Sequence, residues 1–452
     1  MGSMTVPTEP WRLTASEAAT LMRNGDMTVE DYAKSLLSRI KQRDSEVNAW
    51  AYLNPHLVLA RARELDAIAP EKRGPLHGVA VGVKDVILTK DMPTQHNSPI
   101  FVSNQPSTVD AGNIMTLRAN GALIFGKTTT TEFAACSQGD VHQNLTSCAH
   151  DPGRTPGGSS SGSGASCGDF QVPLSLGTQT GGSTIRPGSF NGIYAFKPTW
   201  GAISREGLAQ YSMTCDTLGL YSRSPEDLEL LSQVFQLKDD KPVPSEPFSV
   251  KGSKIAFIKT HVWPKAGPGT KNAWEKAKDI LTKEGATVEE IDLPEEFANF
   301  VPWHEAVLAG EGRTSFLGAY TLSKDLLHDI MQGHVENKKN VSRKAQLEAY
   351  DGSAKLRPVW DDIASKYDAV LTPSAVDEAP KGLDNTGDAS FCSMWTLLHA
   401  PMLNIPGFAG ENGLPIGLSL VSPRYTDQNV VHVAKTIGPL FEKEGGWTRK
   451  NA

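Results

Sequence analysis

Two glycine-flanked serines and a distant lysine are the residues of this chain whose types and spacing could do chemistry together. The first group is Gly157-Gly158-Ser159-Ser160-Ser161-Gly162-Ser163; the second, Thr180-Gly181-Gly182-Ser183, places its serine 24 residues after Ser159. Glycine lets a backbone turn sharply and leaves its amides uncovered, the geometry that a serine nucleophile and an oxyanion site require. A serine hydroxyl is a poor nucleophile at neutral pH and needs a base. Lys84, in Gly82-Val83-Lys84-Asp85, follows the apolar run Gly78-Val79-Ala80-Val81. It is therefore expected in the interior, where an amine can be neutral. Each piece alone has a plainer reading: a Gly/Ser stretch is most often a flexible linker, and a lysine after a strand is usually a solvated strand end.

Together the three sites resemble the amidase signature family of serine hydrolases, whose hallmark is a lysine, then a GGSS segment, then a GGS nucleophile segment. The resemblance also covers Ala122-Leu123-Ile124-Phe125-Gly126-Lys127-Thr128, Glu132-Phe133-Ala134, Gly192 to Thr199 and Asp216-Thr217-Leu218-Gly219. Near the C-terminus it takes in Leu371-Thr372-Pro373 and Gly413 to Leu418, so that residues from about 10 to 440 fall within it.

The resemblance implies a role for each site. Ser183 would be the nucleophile, and the N–H groups of Thr180, Gly181 and Gly182, with that of Ser183 itself, would form the oxyanion hole. Lys84 would be the base and Ser159 would carry the proton between them, with a cis peptide at Gly158-Ser159. A neutral Lys84 requires its pKa to fall well below the ordinary lysine value, a shift that burial can impose. The implied reaction is acyl transfer: hydrolysis of the C–N bond of a small amide, anilide or carbamate, with no metal and no cofactor. A Ser-cisSer-Lys esterase is the same chemistry on an ester.

The nucleophile turn departs from the family pattern. Members commonly carry an aspartate two residues before the first glycine and an arginine two residues after the serine. Here those positions are Gln179 and Ile185, and an arginine stands one place later, at Arg186 before Pro187. We expect another arrangement in place of a structural ion pair.

Composition narrows the function classes. A net charge of -7 offers no basic excess to attract nucleic acid or anionic lipid. No apolar run approaches the roughly 20 residues that cross a bilayer, and no basic-then-apolar leader is visible. Cys136, Cys148, Cys167, Cys215 and Cys392 lack CxxC spacing, so reduced thiols in a cytoplasmic setting are expected. Met1-Gly2-Ser3-Met4 reads as a cloning remnant. The expected partner is a small-molecule substrate, and the expected state a monomer or homodimer.

These residues need a scaffold: the apolar patterning suggests helices layered on a mixed sheet, and the resemblance implies an α/β fold, one domain over residues 10–445 with a mixed central sheet flanked by helices on both faces. Thr14 with Glu17 and Thr28 with Asp31 have capping-box spacing, which predicts helices over 14–45. The core is expected over 75–260, with strands at Val79 to Val86, Leu123 to Phe125 and Val172 to Thr178. Lys254 to Ile258, a helix from about Lys271 to Glu284, and Thr287 to Ile291 read as a βαβ unit. A further strand fits Ala369 to Leu371. Charge and helical spacing over about 294–366 predict a helical insertion near the active-site mouth.

Several other signals have blander readings. Gly121 to Thr128 formally satisfies GxxxxGK[ST], but its middle is a continuous apolar run that suits a buried strand better than a phosphate loop. The histidines show no HExxH, and His328 and His334 stand six apart, a poor spacing for one helical face. His399 and Trp395 fit packed core aromatics better than pocket walls, and Cys136 and Cys148 fit small buried thiols. Candidate walls of the substrate pocket are Glu132 to Gln138, Gln210 to Leu220, Trp303, and Phe391 to His399. Three classes stay open: a free-standing amidohydrolase, the glutaminase-type subunit of a tRNA-dependent amidotransferase, and a scaffold without activity, against which the filled triad positions argue.

Overall fold

The computed structural model describes residues 5–136 and 145–449. The suspected cloning remnant, and positions 137 and 138 of the candidate pocket loop, lie outside them.

Eleven strands make one sheet: β1 Trp50–Tyr52, β2 Ala80–Lys84, β3 Leu123–Thr128, β4 Leu174–Gln179, β5 Tyr194–Lys197, β6 Thr217–Ser222, β7 Lys254–Ile258, β8 Thr287–Ile291, β9 Ala369–Pro373, β10 Met402–Ala409 and β11 Pro415–Val421. Their order is β1-β3-β2-β4-β6-β5-β10-β11-β9-β7-β8. β2 runs parallel to both β3 and β4, and β7 to both β8 and β9, while β4 meets β6 antiparallel. The sheet is thus mixed, as expected, with helices against both faces. Strands β2, β3, β4 and β6 are buried at every residue, which explains why they read as continuous apolar runs rather than alternating ones.

The serine-rich segment is the opposite of a linker. Residues 154–168 are buried throughout, and Ser161–Gly168 is a helix lying against β4. Ser160 Oγ donates to the Thr178 carbonyl at 3.1 Å and accepts from the Thr178 N–H at 3.2 Å, and Ser163 Oγ donates to the Leu176 carbonyl at 2.8 Å. Small residues are required because the helix lies hard against its neighbours: a Cβ on Gly162 would sit 2.2 Å from the Ala49 carbonyl oxygen. Gly and Ser here give close approach, not flexibility.

The GxxxxGK[ST] match resolves as a strand. Gly126, Lys127 and Thr128 end β3, and the buried Lys127 ammonium lies 3.3 Å from Asp85 and donates to the Ile87 carbonyl at 2.8 Å. Nothing between the two glycines can cradle a phosphate.

The N-terminal helices are Ala15–Asn24 and Val29–Val47. Thr14 and Glu17 make a reciprocal capping box, whereas Thr28 accepts from the Asp31 N–H without the return bond. The unit β7, helix Pro268–Lys283, β8 forms with parallel strands. Between Phe300 and Ala364 the chain makes four α-helices, Phe300–Ser315, Leu317–Ser323, Asp329–Val335 and Arg343–Ala364. Among the described residues no helix is long and apolar enough to cross a membrane.

Candidate active site

Parallel β2 and β4 put the ends of both strands at one edge of the sheet, where open α/β sheets place their ligands. Lys84 is the last residue of β2, and Thr180 to Ser183 follow the last residue of β4. The helix Ser161–Gly168 begins at the same edge, so Ser159, two residues before it, meets the end of β2 at Lys84, and its neighbour Ser160 bonds Thr178 near the end of β4.

Lys84 is fully buried, and its Nζ lies 2.8 Å from Ser159 Oγ and 2.7 Å from Thr178 Oγ1. Burial pushes the amine well below its ordinary value, and the nearby Asp216 carboxylate opposes that shift only in part. Among the described residues no acidic side chain touches Nζ, which is the environment that keeps a lysine neutral and able to take a proton. The peptide Gly158-Ser159 is cis, as the resemblance implied.

The turn after β4 is held from all sides. Tyr221 donates its hydroxyl to the Ser183 carbonyl at 3.2 Å. His304 Nε2 lies 2.9 Å from the Thr180 carbonyl, and Thr396 Oγ1 donates to the Gly181 carbonyl at 2.7 Å. Thr180 Oγ1 donates at 2.6 Å to Asp216, whose other oxygen accepts the N–H groups of Tyr211 and Ser212. Burial raises the Asp216 carboxyl to about 6 against those stabilising donors. With its carbonyls and hydroxyl thus engaged, the turn has N–H groups at Thr180, Gly181, Gly182 and Ser183 that find no protein acceptor among the described residues. Unengaged amides on a rigid turn are what stabilises a developing oxyanion.

The expected substitute for the family ion pair is a neutral network. Gln179 Oε1 accepts the N–H groups of Thr184 and Ile185 at 2.9 and 3.0 Å, and its Nε2 donates to Thr396 Oγ1 at 3.0 Å. One amide therefore supplies both the acceptor that a carboxylate would supply and a link to Gly181 through Thr396. Arg186 turns the other way. Its Nη2 donates to the Gly158 carbonyl at 2.5 Å and to Thr386 Oγ1 at 3.1 Å, while Nε and Nη1 are buried without a partner among the described residues. Arg186 thus braces the peptide before Ser159 rather than the nucleophile turn.

The other candidates sort out plainly. Trp395 is buried against Trp360, ring centroids 4.7 Å apart, and His399 stacks on Trp200 at 4.4 Å; both are packing aromatics, as expected. Cys148 is buried, its thiol pushed up to about 11, whereas Cys136 is only half-buried. Trp303 lies over Gly352, and it is the next residue, His304, that meets the nucleophile turn. Glu132 is buried and accepts from Ser98 Oγ and the His328 N–H, so it ties a loop to the helical segment. Sequence reasoning gave Thr178, Asp216, His304 and Thr396 no part in holding the turn. Asp216 stood in a quoted motif and Thr396 in a candidate pocket wall, and Thr178 stood at the end of a predicted strand, but His304 carries no local signal at all.

Known proteins resemble this chain over nearly its whole length. The chain is 31% identical to a glutamyl-tRNA(Gln) amidotransferase subunit of Symbiobacterium thermophilum, over 96% of this chain and 100% of that one. It is 29% identical to the same-named protein of Agathobacter rectalis, over 95% and 93%. A solved amidase structure superposes with a TM-score of 0.84 at 26% identity, covering 96% of this chain and all of the other. The family model for Amidase matches residues 31–431, which includes the lysine, both serines and the whole nucleophile turn. The chain therefore belongs to the Amidase family, the amidase signature enzymes that act on C–N bonds.

Proposed function

We propose that this protein is a free-standing amidohydrolase that cleaves an amide, anilide or carbamate of a small molecule through a serine acyl-enzyme. The observation that carries the reading is the buried Lys84 amine, 2.8 Å from Ser159 Oγ and lowered by burial, beside a turn with unengaged amides. Ser183 Oγ attacks the substrate carbonyl carbon while its proton passes to Ser159, whose own proton passes to Lys84. The C–O⁻ that forms is received by the N–H groups of Thr180, Gly181 and Gly182. The C–N bond then breaks as the amine takes the proton back along the same path, and water releases the acyl group by the reverse sequence. Asp216 and His304 each meet the turn at Thr180, so their part is to position it.

A second reading is favoured by the names of the curated relatives: a glutamine-hydrolysing component that works within a tRNA-dependent amidotransferase. The two separate in one assay. Purified chain, with no partner protein, is given aliphatic amides, anilides, carbamates, esters and glutamine. Turnover of small uncharged substrates supports the first reading. Silence on all of them, with glutaminase activity on adding the other amidotransferase chains, replaces it with the second.

A further inference from the structure

The helix Phe300–Ser315 reaches the nucleophile turn by two routes, and only the shorter one passes through His304. Glu311 stands seven residues further on, two helical turns and about 10.5 Å along the same face. Its carboxylate is half-buried. Oε2 accepts from the Ser212 hydroxyl and from the Thr214 N–H at 3.2 Å, and Oε1 accepts from the Thr214 hydroxyl at 2.5 Å and the Tyr350 hydroxyl at 2.8 Å. These donors fill the roughly four lone-pair positions of a carboxylate. All but Tyr350 belong to one short loop, residues 211–216.

Asp216 holds the same loop from its other side. Its Oδ2 accepts the N–H groups of Tyr211 and Ser212 at 2.8 and 3.0 Å, and its own N–H donates to the Ser212 carbonyl at 2.9 Å. Its Oδ1 accepts from the Thr180 hydroxyl at 2.6 Å. Ser212 is the joint, with its hydroxyl on Glu311 and its N–H on Asp216. A continuous chain of hydrogen bonds therefore runs from Glu311 through Ser212 and Asp216 to Thr180.

Thr180 is thus held at both of its polar groups, the hydroxyl through Asp216 and the carbonyl by His304 at 2.9 Å. The peptide between Thr180 and Gly181 is trans, so its C=O and N–H point opposite ways in one plane, and holding the carbonyl aims the Gly181 N–H. Holding the hydroxyl fixes the side chain of the residue that opens the turn. The helix is already anchored by buried Phe300, Val307 and Ala309, so its packing does not call for a carboxylate at 311.

We infer that Glu311 is a positioning residue: through Ser212 and Asp216 it keeps Thr180, and with it the oxyanion-binding amides, in the orientation that receives the tetrahedral intermediate. The inference rests on the acyl-enzyme mechanism proposed above and holds whether the substrate is an uncharged amide or glutamine.

Phenylmethylsulfonyl fluoride reads Ser183 without knowledge of the natural substrate. The S–Oγ bond forms as the S–F bond breaks, fluoride leaves, and the hydroxyl proton passes toward Ser159 and Lys84, while a sulfonyl oxygen takes the oxyanion position. Labelling rates are measured by intact mass for the parent, Glu311→Met, Glu311→Gln, Thr214→Val, Thr180→Val and the double variant Glu311→Met with Thr180→Val. We expect Glu311→Met to slow labelling about tenfold or more, and Thr214→Val, which removes one bond to Glu311, about threefold. Glu311→Gln recovers most of the loss, because its oxygen can stay at the Oε2 position while its nitrogen donates to the Thr214 and Tyr350 hydroxyls. In the Thr180→Val background, where the chain is already cut, Glu311→Met slows labelling by less than about twofold more. Effects that simply multiply in the double variant, or unchanged rates in folded Glu311→Met and Thr214→Val, overturn the inference. A parent that is not labelled at Ser183, or undiminished labelling of Ser183→Ala, overturns the proposed mechanism instead. Hydrogen exchange of the Tyr211 and Ser212 amides then decides the link: Glu311→Met speeds it about tenfold or more, and equal exchange in parent and variant refutes the connection.

Discussion

His304 Nε2 stands 2.9 Å from the Thr180 carbonyl oxygen, and this is the direct hydrogen bond between the helix Phe300–Ser315 and the turn that carries Ser183. A carbonyl can only accept, so Nε2 bears the proton and the imidazole tautomer is set by its partner. The bond orients the first peptide of the turn and so the direction of the amides that follow. Replacing His304 by Ala leaves a buried carbonyl unpaired, at a cost of about 1 to 3 kcal/mol. We expect His304→Ala to lower kcat about tenfold or more with little change in KM, while His304→Gln, whose amide can donate, recovers part of the loss. Equal kcat in the two variants would show that the histidine only fills space.

The Lys84 amine is lowered by burial, and the direction fixes two pH dependences. As a base it must be neutral, so kcat/KM falls as pH drops through its lowered pKa and is flat above it. Its stability effect has the opposite sense to a salt-bridged lysine. Between the lowered value and the ordinary 10.5 the unfolded chain binds the extra proton, so stability rises with pH across that window. Lys84→Met therefore lowers turnover by orders of magnitude, yet its gain in Tm over the parent is largest at and below the lowered pKa and shrinks toward pH 10.5. Thermal melts across this range, beside rate profiles, check both halves. A Lys84→Met enzyme with near-normal turnover would remove the lysine from the mechanism.

Asp216 is coupled to this titration. Its carboxylate favours the charged form of Lys84, and burial raises its own ionisation to about 6. Removing the charge therefore lowers the lysine further. Asp216→Asn is expected to carry the acid limb of kcat/KM to lower pH, at reduced kcat, because two N–H groups lose a charged acceptor. From 3.8 to about 6 the folded state holds the extra proton, so the Asp216 contribution to stability declines as pH rises through that window, a slope that the variant lacks. Rate profiles and thermal melts between about pH 4 and 8, on either side of that ionisation, separate these effects.

The parts of this site that local chemistry dictates were legible in the sequence. Lys84 ends an apolar run, and Ser159 and Ser183 stand in glycine-rich turns, because burial and backbone geometry are written in neighbouring residues. Mixed topology was legible for the same reason, as β2, β3 and β4 are short apolar runs separated by helical or glycine-rich pieces. Strand ends were less so: β4 runs past its apolar core, out to the polar Gln179, because pairing with Thr217 continues it. His304 was invisible, and Thr396 stood within a candidate pocket wall without a role of its own. They reach the turn from 124 and 215 residues away, and only tertiary packing brings them there. Trp303 drew attention by its size, yet helix geometry turns adjacent side chains to different faces, and its neighbour faces the site.

The Gln179 network makes the last prediction. Its side-chain oxygen accepts two N–H groups just after Ser183, and its nitrogen reaches Thr396, which in turn holds the Gly181 carbonyl. Gln179→Leu strands both N–H groups in a buried setting, so we expect a loss of about 2 to 4 kcal/mol in stability and a lower kcat. Gln179→Glu keeps the acceptor but removes the donor to Thr396 and buries a charge that Arg186, whose bonds go to Gly158 and Thr386, does not pair with. It should thus be destabilising at neutral pH and recover as pH falls and the carboxyl is protonated. Arg186→Met, by contrast, acts on the peptide before Ser159 and should impair proton transfer more than folding. If Gln179→Glu were instead more stable than the parent at neutral pH, an ion pair with Arg186 would have formed and the neutral network would not be what holds this turn.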